Sequence, residues 1–144
     1  MGIRSLRLVA VPAVALACAT VHGTPNTPVD TGDRILITAA MIERSASVTA
    51  WDALKKLAPQ LTYRERRDGQ PTRLGRRGQS SSQPNGAPLV VLDGVRLADF
   101  RELDGIPATT IANIEILNGI DGTTYYGTNA GGGVILITTK DGTP

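Results

Sequence analysis

Three apolar runs in the last third of the chain constrain its fold more than any other feature. They are Leu89–Leu92, Ile111–Leu117 and Val134–Thr139, and each is short, rich in β-branched residues and bounded by turn-forming residues. The third run is apolar along nearly its whole length, which is typical of a strand covered on both faces. The three runs therefore predict the centre of one small β-sheet.

The flanking sequence predicts short helices and further strands around that sheet. Thr49 can cap a helix through Leu57, in which Trp51, Leu54 and Leu57 recur at helical spacing. Shorter helices are expected near residues 39–44, 99–103 and 121–126, and short strands near 34–38 and 61–65. The predicted fold class is α/β or α+β, with a central mixed β-sheet and short flanking helices.

The N-terminal 19 residues have the pattern of a secretory signal peptide. Arg4 and Arg7 precede an apolar run, Leu8–Leu16, that is too short to span a bilayer. Two cleavage sites remain open. One is a loose lipobox that would leave Cys18 lipidated, and the other is an Ala-x-Ala site around Cys18. Either predicts an exported protein of the periplasm or outer membrane.

The remaining chain divides by composition into a tether and one domain. Residues 20–33 are rich in Thr, Pro and Gly and predict a flexible tether. Residues 34–144 predict a single domain, interrupted by a mobile Arg/Gly/Ser loop at 66–87 that contains too few apolar residues for a core.

Several blocks of this sequence resemble one known family in order and spacing. These blocks are LVVLDGV, IANIEIL, Tyr126-Gly127, GGGVILITTK and Asp141-Gly142, with weaker matches in ITAAMI and TAWDALKKLAP. They resemble the plug domain of outer-membrane TonB-dependent receptors. In that family a large membrane barrel follows the plug, whereas two residues follow Gly142 in this sequence. A barrel of about 22 strands of about 10 residues needs roughly 200 more residues, so a stand-alone plug-like protein is expected.

The turn residues in these blocks have a structural explanation. Asp93-Gly94 is a strong hairpin signal, and the glycines permit positive φ or close backbone approach. The predicted structural turns comprise Asp93, Gly94, Gly127, Gly131, Gly132 and Gly133. The triple glycine enters a strand instead of opening a helix, so it does not match a phosphate-binding loop.

Residues 33–39 allow two interpretations. One segment resembles the Ton box, through which such receptors bind a periplasmic energy-coupling protein. It comprises Asp33, Arg34, Ile35, Leu36, Ile37, Thr38 and Ala39. Such pairing would add a strand to the partner's sheet. Alternatively, RILIT is the first strand of the domain itself.

The basic segment from Arg64 to Ser82 departs from the family pattern, since it lacks the Gly-rich motif that leads into the first core strand of full receptors. Between Arg64 and Arg77 lie six arginines, one Glu and one Asp. The segment could be a solvated loop or could contact anionic lipid headgroups. Nucleic acid is not expected as a partner, because Tyr63 is the only nearby aromatic.

The composition does not favour an enzyme. The single His, His22, lies in the predicted tether, and the single Cys, Cys18, lies in the signal region. The predicted domain therefore lacks the residues of common nucleophilic triads and zinc sites, and no cofactor or metal is expected. The sequence predicts an exported interaction module that is associated with TonB-dependent uptake but is not a transporter. Alternatives are a siderophore-like ligand-binding module and the remnant of a truncated receptor.

Overall fold

A computed structural model of the chain describes residues 27–32, 34–77 and 86–142. Its strands are β1 Val29–Asp30, β2 Arg34–Thr38, β3 Leu61–Glu65, β4 Pro71–Arg76, β5 Leu89–Leu92, β6 Val95–Arg96, β7 Ile111–Leu117 and β8 Val134–Thr139. Its α-helices are α1 Ala39–Arg44, α2 Ala50–Leu57 and α3 Gly119–Tyr126, and its 3-10 helices are Phe100–Gly105, Ala108–Thr110 and Thr128–Ala130.

Six strands form one mixed sheet in the order β1-β2-β7-β8-β5-β6. Strand β8 pairs antiparallel with β7 and parallel with β5, so it lies at the centre of the sheet. Ile135 and Ile137 are buried in the main hydrophobic cluster, and Val134 is buried in a smaller second cluster. Both predictions for this region, a mixed central sheet and a strand covered on both faces, are confirmed.

Helix α2 supplies the largest side chain of the main core. Thr49 Oγ1 accepts a hydrogen bond from Asp52 N at 3.2 Å, which caps the helix as expected. Trp51 and Leu54 are at most 2% exposed. The Trp51 ring meets the Tyr63 ring edge-on at a centroid distance of 5.3 Å and stacks on Phe100 at 6.3 Å. The helix is thereby fixed between β3 and the first 3-10 helix.

The expectation of a mobile loop across residues 66–87 is wrong for Pro71–Arg76. These residues form β4, which pairs antiparallel with β3 in a separate two-stranded sheet. Leu74 lies opposite Tyr63 and is 2% exposed, within the main cluster. One leucine and one buried proline therefore hold a strand whose other side chains are mostly charged or small. Residues 78–85 lie outside the described residues.

The expectation of a tether up to residue 33 is wrong for Val29–Asp30. These two residues form β1 and pair with Leu36 and Ile35 of β2. The turn between the strands includes Gly32 at φ +85°, and Gly32 N donates to Asp30 Oδ1 at 2.7 Å. The predicted signal peptide, Cys18 and the tether up to residue 26 lie outside the described residues.

Candidate interaction surfaces

The structure places Asp93 and Gly94 in a two-residue hairpin turn between β5 and β6. Their φ angles are +46° and +80°, the left-handed conformations that such a turn requires. The Asp93 carboxylate also accepts two hydrogen bonds from Thr139, from N and from Oγ1, each at 2.8 Å. Asp93 therefore joins the hairpin to the end of the central strand β8.

The glycines before β8 allow backbone segments to approach closely. A Cβ atom on Gly132 would lie 2.5 Å from the carbonyl oxygen of Ala87. Gly133 has a φ of +98°, and Gly127 has a φ of +80° at the end of α3. Gly131 has an ordinary φ of −59° and lies in the same turn. Glycine at positions 127, 132 and 133 therefore allows the turns and the close backbone contacts that precede β8.

Strand β2 contains the segment that resembles the Ton box. Arg34–Thr38 pair along their whole length with β7, and Ile35 and Leu36 also pair with β1. Ile37 is fully buried and Ala39 begins α1. This placement agrees with the second interpretation, in which RILIT is a strand of the domain itself. Asp33 lies outside the described residues.

Helix α3 packs on its neighbours through its glycines, and its largest side chains are exposed. A Cβ on Gly122 would lie 2.9 Å from Ala130 O and 3.0 Å from a Val134 methyl carbon, so this side of the helix packs closely on its neighbours. Ile120, by contrast, is 78% exposed and Tyr125 is 69% exposed. This arrangement is the reverse of an ordinary surface helix, whose apolar residues face the core.

The sequence did not reveal this exposed surface. Tyr125 and Tyr126 are adjacent in the sequence, and both rings are exposed. The available signal was the i, i+3 spacing of Gly119 and Gly122, which identifies the closely packed side of the helix. The large exposed side chains of α3 are Ile120, Tyr125 and Tyr126, which project in different directions around the helix. Together they are the first candidate interaction surface, the apolar surface of α3.

The charged residues beside α2 stabilise the fold locally. Glu65 Oε1 accepts hydrogen bonds from Lys55 Nζ at 2.7 Å and from Trp51 Nε1 at 2.6 Å. The hydrogen bonds from Lys55 and Trp51 hold the pKa of Glu65 below its usual value. Burial raises the pKa of the Tyr63 hydroxyl, which donates towards the carbonyls of Leu54 and Ala58 at the end of α2.

A cleft of about 420 Å³ lies between residues 87–90 and residues 96–100, with Asn129 on its wall. Arg96 and Asp99 supply charge, and Leu97 and Phe100 supply apolar surface. The Asp99 carboxylate is already bonded to Arg101 at 2.8 Å and to Arg101 N at 2.9 Å. The cleft can accept a small polar molecule, although its charged groups are few.

Within residues 27–32, 34–77 and 86–142, no group of three or more His, Cys, Asp or Glu side chains is placed to hold a metal ion. None of the helices in these segments has the length and apolar character needed to cross a membrane.

The described residues form a small domain in which short helices flank a mixed β-sheet. The family model described as "TonB-dependent Receptor Plug Domain" matches residues 28–134. The chain belongs to the TonB-dependent receptor plug domain family.

Relatives of known sequence and structure include receptors and a transport protein. The chain is 40% identical over 98 residues to the ferric aerobactin receptor of Klebsiella pneumoniae, a match that covers 65% of this chain and 12% of the relative. It also resembles a mutant ferric enterobactin receptor of Pseudomonas aeruginosa in complex with enterobactin. That similarity has a TM-score of 0.57 and 23% identity, over 81% of this chain and 18% of the other. The RagAB peptide importer matches with a TM-score of 0.56 and 19% identity, over 90% and 14% of the two chains.

Proposed function

We propose that this protein is an exported, non-enzymatic interaction module at the periplasmic side of the outer membrane. It works with the TonB-dependent uptake machinery and is not itself a transporter. The observation that carries the proposal is the apolar surface of α3 on a plug fold. Because helix α3 packs through its glycines, its Ile and Tyr side chains remain available to a partner.

The partner proposed for this surface is an outer-membrane barrel protein. Membership of the plug-domain family implies a barrel around the plug. Three exposed apolar side chains on one short helix offer contact area to a partner, and aromatic residues are enriched in protein interfaces. A periplasmic energy-coupling protein is a second candidate partner, but pairing through β2 would require that strand to leave the sheet.

Recovery of partners from an outer-membrane extract tests this proposal. An affinity-tagged full chain should recover a barrel protein, and the double substitution Ile120→Ser with Tyr125→Ser should abolish the recovery. Val48→Ser is the matched control, because Val48 is 75% exposed in a different part of the chain. The proposal fails if no barrel protein is recovered, or if the control loses it equally.

A small-ligand-binding module is the alternative function, and the cleft beside Phe100 favours it. Titration calorimetry of the full chain with ferric siderophores measures this binding directly. Heat that saturates at one ligand per chain, and that is lost in Arg96→Gln, would support the alternative. The α3 double substitution should leave such binding unchanged, so the two functions are separable.

Export and anchoring form a separate part of the proposal. Lipidation at Cys18 would tether the domain to a membrane, whereas cleavage at an Ala-x-Ala site would release it. Metabolic labelling with palmitate followed by immunoprecipitation distinguishes the two. Label that disappears in Cys18→Ser supports the anchor, and unlabelled protein of mature size in the periplasm supports the soluble form.

A further inference from the structure

The β3–β4 hairpin has six arginines within fourteen residues and no lysine. Arg64 lies on β3, Arg66 and Arg67 on the turn, Arg73 and Arg76 on β4, and Arg77 follows β4. Five of the six are exposed and Arg76 is partly exposed. We call these six residues the arginine hairpin.

The strand register sets like charges against each other on the outer face. Arg64 is paired directly with Arg73, while the neighbouring pair, Tyr63 and Leu74, faces the core. Side chains directly opposite each other in an antiparallel pair lie about 5 Å apart at Cβ, and like charges there destabilise the sheet. This pairing costs stability and contributes nothing to the core.

Among the described residues, no acid forms an ion pair with these arginines. Its ion pairs join Arg34 to Glu115, Lys55 to Glu65, Lys56 to Asp52, Arg101 to Asp99 and Lys140 to Glu43. None of these involves the arginine hairpin, and Asp68 in its turn accepts from Gln70 N. Of the 13 acidic residues only Asp33 lies outside the described segments, and residues 78–85 contain no Asp or Glu.

The face of the hairpin opposite Arg64 and Arg73 packs against the core and fixes the backbone that carries the arginines. Leu61 and Leu74 are buried, and the Tyr63 hydroxyl lies 2.7 Å from Leu54 O. Arg101 Nε donates to Pro71 O at 3.4 Å and joins β4 to the first 3-10 helix. The arginines therefore extend from an ordered two-stranded sheet that is packed against the core.

We propose that the arginine hairpin binds anionic phospholipid headgroups at a bilayer surface. Guanidinium groups bind phosphate oxygens in a bidentate manner, and clusters of four to eight basic residues are typical of anionic lipid contacts. The six groups are spread over both strands and the turn, which suits a surface of many phosphates better than one bound anion. Tyr63 faces the core, so the hairpin has no aromatic surface on which nucleic-acid bases could stack.

This inference goes beyond the proposed function, because the arginine hairpin and the apolar surface of α3 are different surfaces. A chain that recovers no barrel protein could still bind lipid, and the reverse also holds. The two proposals can therefore fail separately.

Co-sedimentation with vesicles tests the lipid proposal. The full chain is mixed with phosphatidylcholine vesicles containing 30% phosphatidylglycerol, and separately with phosphatidylcholine alone, because the apolar N-terminal run could bind both. The hairpin should add an anionic preference that is lost at 1 M salt, where the Debye length falls to about 3 Å. Each arginine at the surface contributes about fivefold in partition coefficient, so Arg64→Gln with Arg73→Gln should lower it about 25-fold.

The matched control removes the same charge elsewhere, through Arg44→Gln with Arg96→Gln. Circular dichroism and Trp51 fluorescence confirm that each variant is folded. An unchanged partition coefficient in the control, together with the loss in the hairpin variant, supports the proposal. Equal losses in the two variants would show that net charge alone drives binding and would overturn it. Equal binding to neutral and anionic vesicles would also overturn it.

Discussion

Replacement of Asp93 tests whether the Asp-Gly turn is a structural element or a binding site. Three variants separate the contributions of this residue. Asp93→Ala removes both hydrogen bonds to Thr139 and leaves a non-glycine residue at φ +46°. Asp93→Gly removes the bonds but suits the positive φ. Asp93→Asn retains an acceptor for Thr139 N, can donate to Thr139 Oγ1, and tolerates the left-handed conformation.

The expected magnitudes follow from this geometry. A hydrogen bond to a charged group contributes about 1.5–3 kcal/mol, and the partial burial of Asp93 favours the lower end of that range. Two bonds therefore give a loss of about 3 kcal/mol for Asp93→Ala. Asp93→Gly should lose about 1 kcal/mol less, because glycine avoids the cost of a positive φ. Asp93→Asn should lose about 1 kcal/mol, as the bonds persist without charge.

Urea unfolding followed by the fluorescence of Trp51, the single tryptophan, measures these differences. Thr139→Val removes the Oγ1 donor alone, and combined with Asp93→Ala it completes a double-mutant cycle. The two substitutions should be less than additive, since they remove the same bond. The structural account is refuted if Asp93→Ala changes the free energy of unfolding by less than about 0.5 kcal/mol, within the scatter of ordinary surface substitutions.

Three further substitutions test the core, the backbone and the electrostatics. Leu74→Ala should lower the free energy of unfolding by about 2–5 kcal/mol, against less than about 0.5 kcal/mol for the exposed Thr72→Ala. Equal values would show that β4 is not part of the core. Gly132→Ala should cost about 1–3 kcal/mol through contact with Ala87 O, whereas Gly131→Ala, at φ −59° and with Thr128 O 3.8 Å from the added Cβ, should be tolerated. Because the pKa of Glu65 is lowered in the folded chain, its charge stabilises the fold above its usual pKa of about 4.5, and that stabilisation is lost as the pH falls through the folded pKa. The stability advantage of the native chain over Glu65→Gln should therefore shrink between pH 7 and pH 3, and a constant difference in urea unfolding would contradict this assignment.

The sequence was sufficient to predict the elements whose signals are local. Strands β5, β7 and β8 stand out because their apolar residues are contiguous and bounded by turn residues. Helix α2 stands out through its Thr49 cap and its apolar spacing. In each case local propensity and tertiary burial favour the same structure, which is why the mixed sheet and the family could be recognised.

The missed elements depend on contacts between distant residues. Strand β4 has one buried leucine and one buried proline among its arginines, so its burial depends on pairing with Tyr63 of β3 and on the main hydrophobic cluster. The exposure of Tyr125 could not be predicted from apolar patterning, because α3 packs through glycines. The bond between Asp93 and Thr139 joins residues 46 positions apart, and a sequence pattern gives no sign of it.

Site-specific photocrosslinking from α3 in living cells tests the central claim most directly. A photoreactive amino acid is placed at Ile120, and at Val48 as the matched exposed control. The account predicts that Ile120 forms a covalent adduct with an outer-membrane barrel protein, identified by mass spectrometry, and that Val48 does not. An expressed, exported chain that gives no barrel adduct from Ile120 would contradict the proposed function.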